Sequence, residues 1–365
     1  MNKKVVIFSY HYYNSKNKAG FHNIALAFKR LGYDVHFITS PVSLLSFIKG
    51  DVRIFNNKFF KNIFTIQNFE GIKSYINFNY FHLVNRNSIL IEKFLLKFFK
   101  LNKRLYNVLK DAEFIIMESS LSLLFVSEIK SINPKAKFIY RMSDDIYELN
   151  LPNILKENHD NIIKYFDLIS VPSFYMYRKY KNLYPDLNIK LHFHGIEKNL
   201  FDKCLNNPYR SGSYNAVFIG MSYLDWSFLE IASRIFDNIT FHIIGNFTPK
   251  VKLKNIKYYG VLPFKDTIGY IKYADLGLAI RRGGNENLVR TLDSSLKIIQ
   301  YTYCKLPIIL PELIETEREN FFKYSYDDEK SIKSAIESAL QFDRVSFTPH
   351  GILTWEELAE ALISD

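Results

Sequence analysis

The 365-residue sequence contains little cysteine, glycine or proline, with 2 Cys, 14 Gly and 11 Pro. The two cysteines, Cys204 and Cys304, are too few for a disulfide framework or an all-thiolate metal site, which indicates a reducing compartment. The low glycine and proline content excludes collagen-like and low-complexity chains. Hydrophobic residues at 48% and charged residues at 23% instead indicate a globular protein, and the length is sufficient for two domains.

Long apolar runs are also absent. No stretch approaches the roughly 18 to 20 uncharged apolar residues that span a bilayer. The N-terminus has two lysines followed by an apolar run only from Val5 to Phe8, which predicts a first strand rather than a signal peptide. The sequence therefore predicts a protein that is soluble or lies on a membrane surface, without a transmembrane helix.

Positive charge is concentrated in the first third of the chain. Residues 1–110 contain 18 Lys or Arg against 4 Asp or Glu, whereas the whole chain contains 48 and 37. In residues 93–110, Leu95, Phe98 and Phe99 have a helical spacing between lysines, which predicts an amphipathic helix on an anionic membrane surface. A core helix with a solvated basic face is an equally good interpretation. Basic and aromatic residues also line nucleic-acid grooves, but no nucleic-acid motif accompanies them here, so we predict no nucleic-acid partner.

Apolar β-branched runs alternate with helical patterns, which predicts an α/β fold with parallel sheets and crossover helices. The irregular residues 195–213, with Asn-Asn-Pro and Ser-Gly-Ser, predict an interdomain linker. An amphipathic helix is predicted at residues 354–363. The predicted strands are residues 5–9, 35–39, 113–118, 137–141, 168–171 and 191–194 in a first domain, and residues 216–220, 240–245, 257–261, 276–280 and 307–310 in a second.

Adjacent carboxylates follow one of the predicted strands. Ligands of parallel sheets bind beyond the carboxyl ends of the strands, and Asp144 and Asp145 come just after residues 137–141. One of them could act as a general base while the other caps a helix or meets Arg141. Two structural turn carboxylates are the alternative interpretation, and the spacing does not fit a D-x-D metal site.

Two further loops hold candidates in the first half of the chain. The loop after the first strand leads to Gly20, which lets the chain turn, and to His22 on the following helix; it lacks G-x-G-x-x-G, so a dinucleotide fingerprint is absent. At the exit of the first domain, His194 or Glu197 could reach a ligand. The alternative interpretation is structural, because a loop histidine is more often a hydrogen-bonding residue than a catalyst and a hinge needs no chemistry.

The second domain contains a basic loop followed by a helix start. Arg281 and Arg282 follow the strand at 276–280, and Ser295 then opens a helix that carries Lys297. Free N–H groups and the helix dipole favour an anion at such a start, so a diphosphate could be neutralised there without a metal. Asp293 would compete for the same N–H groups, and a solvated Lys297 is the alternative interpretation.

Five segments carry a family resemblance: KAGFH before a helix, RMSDD, HGIEKN, VFIGMSYLDW and SSLKIIQYTYCKLPII, spread over residues 18–310. The sequence resembles the GT-B glycosyltransferases, and within them the membrane-associated glucuronosyltransferases of xanthan biosynthesis, glycosyltransferase family 70. The resemblance implies two Rossmann-like domains with parallel sheets facing a central cleft. The acceptor domain would be residues 1–197 with a C-terminal helix at about 352–365 that crosses back, and the nucleotide-sugar domain would be residues 198–351.

The resemblance also implies roles for individual residues. The catalytic aspartate falls on Asp144 or Asp145. The family pattern has a less charged strand end with a tyrosine nearby where this sequence has Arg281 and Arg282, but a guanidinium suits a uronate carboxylate. The donor-binding candidates are Gly220, Met221, Arg281, Arg282, Ser295, Leu296, Lys297 and Gln300, and the acceptor-side candidates are Gly20, His22 and Glu197.

The function implied is inverting transfer of glucuronate from a UDP-sugar to a lipid-linked oligosaccharide on polyprenyl diphosphate, in bacterial exopolysaccharide or capsule synthesis. It needs no metal or other cofactor, and the basic first third would hold the enzyme peripherally at the cytoplasmic face of the inner membrane. One alternative is a GT-B transferase of a neutral sugar, glucose or mannose, on a lipopolysaccharide or capsule precursor. Another is a non-enzymatic basic protein that binds nucleic acid or membrane.

Overall fold

The computed structural model describes residues 3–15, 18–43, 46, 63, 65–79, 81, 83, 88–210 and 212–364. The chain divides into two compact units. The first comprises residues 1–172, 177–192 and 355–365, and the second comprises residues 173–176 and 193–354. The boundary predicted after residue 197 therefore lies a few residues inside the second unit.

Strands and helices alternate through both units. The described strands are β1 (Lys4–Ser9), β2 (Asp34–Ser43), β3 (Gln67–Phe69), β4 (Ile72–Asn79), β5 (Phe114–Glu118), β6 (Lys137–Arg141), β7 (Leu168–Val171), β8 (Ile189–Leu191), β9 (Tyr214–Ile219), β10 (Ile239–Ile244), β11 (Ile256–Gly260), β12 (Leu276–Leu278), β13 (Ile308–Pro311) and β14 (Phe321–Tyr324). The described α-helices are α1 (Gly20–Arg30), α2 (Ile89–Leu96), α3 (Tyr106–Lys110), α4 (Val126–Ile132), α5 (Asn153–Glu157), α6 (His159–Ile162), α7 (Phe174–Leu183), α8 (Lys198–Asp202), α9 (Trp226–Ile235), α10 (Phe264–Lys272), α11 (Glu286–Arg290), α12 (Leu296–Tyr303), α13 (Glu329–Leu340) and α14 (Trp355–Ile363).

The first unit is built on a sheet with the order β3-β4-β2-β1-β5-β6-β7-β8. Its strands are parallel except β3, which pairs antiparallel with β4. The central strand β1 has Val5 to Phe8 fully buried, because both faces of a parallel sheet are covered by helices. One covering helix is α1, which buries Phe21, Ile24 and Phe28 at helical spacing.

The second unit is built on a parallel sheet with the order β11-β10-β9-β12-β13-β14. The predicted linker at residues 195–213 is wrong, because this stretch packs onto the second unit. Helix α8 lies within it, and Phe201 is buried in the same core cluster as Ile268 and Tyr301. The Ile196 N–H also donates to the Leu353 carbonyl at 2.9 Å. Breaker residues here accompany a packed segment rather than a free connection.

The C-terminal helix α14 belongs to the first unit. Arg30 of α1 forms a 2.8 Å ion pair with Glu356, and Lys137 Nζ donates to the Ile363 and Ser364 carbonyls at 3.2 and 3.0 Å. The helix thus returns to the domain in which the chain began, as the GT-B resemblance implies.

Helix α2 exposes an apolar and basic surface. Leu90, Ile91 and Phe94 are exposed, as is Phe98 just beyond the helix. The predicted face of Leu95, Phe98 and Phe99 is partly wrong, because the helix ends at Leu96 and Phe99 is buried. Within the part of the chain that the structure describes, no helix is long and apolar enough to cross a membrane.

The two sheets fix where ligands should bind. Strand order reverses between β1 and β5 in the first sheet and between β9 and β12 in the second. In open α/β sheets, ligands bind outside the carboxyl ends of the strands at this switch point. The residues that follow β1, β5, β9 and β12 are therefore the first to consider.

Candidate active site

The structure distinguishes the two adjacent aspartates after β6. The Asp145 carboxylate is buried and accepts hydrogen bonds from Lys179 Nζ at 2.5 Å, from the Tyr180 hydroxyl at 2.9 Å and from the Tyr147 N–H at 3.1 Å. It does not pair with Arg141. Its hydrogen bonds anchor the turn to α7 and favour a structural role for Asp145, and the choice of the catalytic base between the two aspartates stays a prediction.

The Asp144 carboxylate is the available one. The residue is exposed, and its carboxylate accepts no hydrogen bond from any residue that the structure describes. Surrounding protein atoms still desolvate it enough to raise the pKa of Asp144 above its ordinary value. Its backbone carbonyl accepts a 2.7 Å hydrogen bond from the Ser119 hydroxyl, which fixes the turn. Asp144 is therefore an exposed carboxylate, without bound partners, on a fixed backbone.

A second carboxyl lies near Asp144 that sequence reasoning missed. Glu118 ends β5, is buried, and accepts hydrogen bonds from the Ser9 hydroxyl at 2.6 Å and the Tyr10 N–H at 2.8 Å. Burial raises the pKa of Glu118 to about 7, and the charge of Asp144 adds to the rise. The sequence feature that could have identified Glu118 is its position at the end of a predicted strand next to the switch point.

His22 shapes the loop between β1 and α1. The ring is buried; its Nδ1 accepts a 2.9 Å hydrogen bond from the Ala19 N–H, and its Nε2 lies 3.0 Å from the Tyr12 carbonyl. Burial lowers the pKa of His22 to about 4, so the ring is neutral at neutral pH. These contacts favour a structural role, and acceptor-side roles for His22 and for Gly20, the first residue of α1, stay predictions.

Glu197 does not lie where the sequence predicted it. It is the residue before α8 and belongs to the second unit, because the preceding Ile196 pairs with Thr354. The sequence placed Glu197 at the end of the first domain, whereas the structure assigns it to the second unit; its acceptor-side role stays a prediction.

The donor candidates surround the end of β9. Glycine at position 220 is required by packing, because a Cβ there would lie 2.9 Å from the Phe218 ring, with Lys297 Nζ 3.6 Å away. Gly245 is required as well, since at φ +149° any Cβ would overlap the Gly220 carbonyl oxygen. The two backbones therefore approach each other closely beside the Lys297 side chain. Met221, the residue after Gly220, is exposed.

Lys297 stands in the first turn of α12. Its Nζ lies 4.3 Å from the centre of the Phe218 ring and forms no ion pair or hydrogen bond with the described residues. Burial lowers the pKa of Lys297 to about 7, and the nearby Arg281 charge contributes. The Lys297 ammonium lies against an aromatic ring and near a second cation. An anion that binds beside it would therefore stabilise its charged form.

The amino end of α12 is open for such an anion. Ser295 precedes the helix without a side-chain capping bond, so the first N–H groups keep their capacity to donate. Asp293 does not compete for them, because it is buried and its Oδ2 accepts from the Phe174 N–H at 3.0 Å. Leu296 is exposed at the helix start, and Gln300 lies one turn after Lys297 on the same face.

The structure also separates the two arginines after β12. The Arg282 guanidinium donates two hydrogen bonds to the Asp327 carboxylate, at 2.5 and 2.6 Å. The two donors that could hold a ligand carboxylate are therefore already used. The Arg281 guanidinium instead lies 4.7 Å from the centre of the Tyr223 ring, and its Nε is buried without a hydrogen-bond partner in the described structure. Tyr223 has φ +58°, a rare conformation for a bulky residue that often marks a functional site.

A tyrosine does lie near this strand end in the fold, because the loop after β9 brings the Tyr223 ring to Arg281. Its relation to the tyrosine of the family pattern stays a prediction. The Tyr223 carbonyl accepts a 3.0 Å hydrogen bond from the Arg282 N–H. Within the described residues, no group of three or more His, Cys, Asp or Glu could hold a metal ion.

Known proteins are similar to this chain in both sequence and fold. Residues 7–172 match the family described as glucuronosyltransferase GumK, N-terminal domain. The UDP-glucuronate:glycolipid 2-beta-glucuronosyltransferase of Xanthomonas campestris pv. campestris is 27% identical over 350 residues, which cover 90% of this chain and 85% of that protein. A glycosyltransferase from Rickettsia africae has a TM-score of 0.56 at 13% identity, covering 99% of this chain and 92% of that one.

This protein is a GT-B glycosyltransferase. A further neighbour, HepE of Anabaena in complex with UDP and glucose, has a TM-score of 0.53 at 9% identity and covers 100% of this chain and 96% of its own. At such identities the structures show the fold alone, whereas the sequence match to the Xanthomonas enzyme extends over both units. The resemblance to the xanthan-type glucuronosyltransferases is thereby confirmed, and the non-enzymatic alternative is excluded.

Proposed function

We propose that this GT-B glycosyltransferase moves glucuronate from UDP-glucuronate to a hydroxyl of an oligosaccharide on polyprenyl diphosphate, with inversion at the anomeric carbon. The observation that carries the proposal is the pair of cations, Lys297 and Arg281, that have no carboxylate partner among the described residues. UDP-glucuronate has two anionic groups, a diphosphate and a carboxylate. The Xanthomonas relative is named for UDP-glucuronate and a glycolipid, and both agree with this chemistry.

The mechanism follows from the chemistry of each group. The acceptor hydroxyl gives its proton to the Asp144 carboxylate while its oxygen bonds to the anomeric carbon. The bond from that carbon to the diphosphate breaks on the opposite face, and UDP leaves. The Lys297 ammonium and the first N–H groups of α12 stabilise the charge that develops on the leaving diphosphate. Charge neutralisation by the protein makes a metal unnecessary in this scheme.

The donor is tested directly by turnover and by binding. Purified protein with detergent-solubilised polyprenyl-diphosphate oligosaccharide should release UDP from UDP-glucuronate, and the product should carry a β-linked uronate. UDP should raise the melting temperature through mass action. Turnover of UDP-glucose or GDP-mannose with no turnover of UDP-glucuronate would contradict the proposal and support the neutral-sugar alternative.

Arg281 should determine the preference for an acidic sugar. Arg281→Gln is expected to raise KM for UDP-glucuronate by about 10- to 100-fold, because hydrogen bonds to a charged group contribute about 1.5–3 kcal/mol. KM for UDP-glucose should change by less than about threefold. Arg282→Gln is the matched control; it removes the Asp327 pair and should affect the two donors alike. An equal rise in KM for UDP-glucuronate and UDP-glucose in Arg281→Gln would show that Arg281 does not recognise the uronate carboxylate.

The exposed surface of α2 is proposed to hold the enzyme at the anionic cytoplasmic leaflet. Leu90 and Phe94 are 75% and 59% exposed, and lysines such as Lys93 and Lys97 beside them are exposed. Apolar side chains that enter the interface and cations that meet anionic headgroups together give reversible binding. The acceptor lipid lies in the same leaflet, so surface binding would bring the enzyme to it.

Vesicle binding measures this surface. Leu90→Ser with Phe94→Ser should weaken binding to phosphatidylglycerol vesicles more than about tenfold, since each buried apolar side chain contributes about 1.5–3 kcal/mol. Leu205→Ser, at an 86% exposed leucine of the second unit, is the matched control and should bind like wild type. Equal binding of all three proteins in a flotation assay, or binding to zwitterionic vesicles as tight as to anionic ones, would contradict the proposal.

A further inference from the structure

A cavity of about 480 Å³ lies in the second unit at the carboxyl end of α12. Three lysines line it: Lys198 on α8, Lys272 at the end of α10, and Lys305 two residues after α12. The buried side chains of Phe201 and Ile352 line it as well. Every lining residue belongs to the second unit, and the volume is in the range of small-molecule sites, about 300–1,000 Å³.

The cavity is separate from the proposed diphosphate site. That site lies at the amino end of α12, where Lys297 stands in the first turn. The cavity lies at the other end, because Tyr303, the last residue of α12, lines it, and Lys305 precedes β13 by three residues. Eight helical residues span roughly 12 Å. A ligand in the cavity would therefore lie at the opposite end of α12 from Lys297.

The lining carries more positive than negative charge. Asp202 is the only acidic residue among the lining residues that the structure describes. Its carboxylate accepts a 2.6 Å hydrogen bond from the Tyr303 hydroxyl. Three ammonium groups therefore line the cavity against one carboxylate, and this excess favours an anionic ligand.

The contacts of two of these lysines leave donors for a ligand. Lys272 Nζ donates to the Asp202 and Cys204 carbonyls at 3.0 and 2.9 Å, and Lys305 Nζ donates to the Val345 carbonyl at 3.5 Å. An ammonium has three N–H donors, so both lysines retain at least one. Carbonyl contacts hold the two ammonium groups in place but do not cancel their charge.

A structural role for the lysines accounts for only part of this arrangement. Lysines often neutralise the carbonyl ends of helices, which explains the bonds of Lys272 at the end of α8. It does not explain an open volume that Lys198 and Lys305 line together with buried apolar side chains. Lys305 also has φ +58°, at a position after a helix where glycine is the usual residue.

We propose that this cavity binds an organic phosphate, in which a phosphate group is carried on an apolar body. Lysine ammonium groups bind phosphate as point charges, and Phe201 and Ile352 would contact the apolar part of the ligand. The same chemistry is found in lipid-like phosphates with a flexible chain and in soluble phosphates with a ring. The site goes beyond the proposed transfer reaction and does not depend on it.

Naphthyl phosphate is the probe, because it joins a phosphate group to a flat apolar body. Calorimetry is done with the full chain carrying Lys297→Met, so that binding at the proposed diphosphate site does not enter the measurement. Naphthyl phosphate should bind at least about tenfold more tightly than inorganic phosphate or naphthol, since only the ester supplies both the charge and the apolar contact.

Lys305→Asn in this background identifies the site. Asparagine adopts a positive φ more readily than lysine, so the variant should fold while it loses the charge. The dissociation constant of naphthyl phosphate should rise about tenfold, the lower end of what a hydrogen bond to a charged group contributes. Lys305→Arg keeps the charge and should bind like its parent. Lys252→Asn, at an exposed lysine of the second unit outside the cavity lining, is the matched control.

Three results would overturn the proposal: no binding of naphthyl phosphate at millimolar concentration, an unchanged dissociation constant in Lys305→Asn, or inorganic phosphate that binds as tightly as the ester. Geranyl phosphate separates the two sources. Tighter binding than naphthyl phosphate, with the same dependence on Lys305, assigns the cavity to a lipid-like phosphate, and weaker binding assigns it to a ring-bearing soluble one. An enzyme that does not turn over UDP-glucuronate would contradict the proposed function and leave these binding results unchanged.

Discussion

Asp144→Asn is expected to lower kcat by about 10²- to 10⁴-fold, which is the usual contribution of a positioned general base. Asparagine has nearly the same shape as aspartate, and the Ser119 bond reaches only the backbone carbonyl of residue 144, so the turn should keep its geometry. KM for the donor should change little, because the donor candidates all belong to the second unit. Single-turnover kinetics with saturating acceptor measure the loss at the chemical step.

Asp145→Asn is the matched control one residue away. Its carboxylate is bound by Lys179 and Tyr180, and breaking a buried ion pair typically costs about 3 kcal/mol of stability. This variant should therefore melt at a lower temperature but retain most of its kcat when assayed below the transition. If Asp145→Asn loses turnover while Asp144→Asn keeps it, the base has been assigned to the wrong aspartate.

The secondary structure of both sheets was largely predictable because the buried parallel strands are continuous β-branched runs. The strand at 137–141 matches β6 residue for residue, and helices α1 and α14 follow the apolar spacing. The β3–β4 hairpin was not predicted. Its turn places Glu70 and Gly71 at φ +55° and +81°, and glutamate is an uncommon residue for that conformation.

The site was predictable at the level of segments and not of side chains. Asp144, Gly220 and Lys297 lie in segments that follow the carboxyl ends of parallel strands. The sequence could predict this because the strands themselves were predictable. It could not decide between Asp144 and Asp145, because the decision depends on Lys179 and Tyr180, which are more than thirty residues away in the chain. Long-range contacts of this kind have no local signal.

The arginines show the same limit. Arg281 and Arg282 are adjacent and chemically identical in sequence, but Asp327 occupies only one of them. Tyr223 approaches the other from a loop that precedes it by more than fifty residues. The distinction between a structural and an available guanidinium is therefore a property of the tertiary fold alone.

Lys297→Met is expected to weaken binding of UDP-glucuronate by about 10- to 100-fold, because one charge-assisted hydrogen bond to the diphosphate contributes about 1.5–3 kcal/mol. kcat should fall by about 10²- to 10³-fold as well, since the same charge stabilises the leaving group. Methionine retains the length and much of the packing against Phe218. Lys333→Met on α13, an exposed lysine near Glu337, is the matched control and should bind the donor like wild type.

The pH dependence of donor binding identifies Lys297 independently of turnover. In the free enzyme the pKa of Lys297 is lowered to about 7, and a bound diphosphate favours the charged ammonium and raises it. Above pH 7, binding should therefore take up a proton, and wild-type affinity should fall by up to about tenfold per pH unit. Calorimetry with UDP-glucuronate in two buffers of different ionisation enthalpy measures this uptake, which Lys297→Met should abolish. Proton uptake that persists in Lys297→Met would assign the titrating group to another residue and remove Lys297 from the diphosphate site.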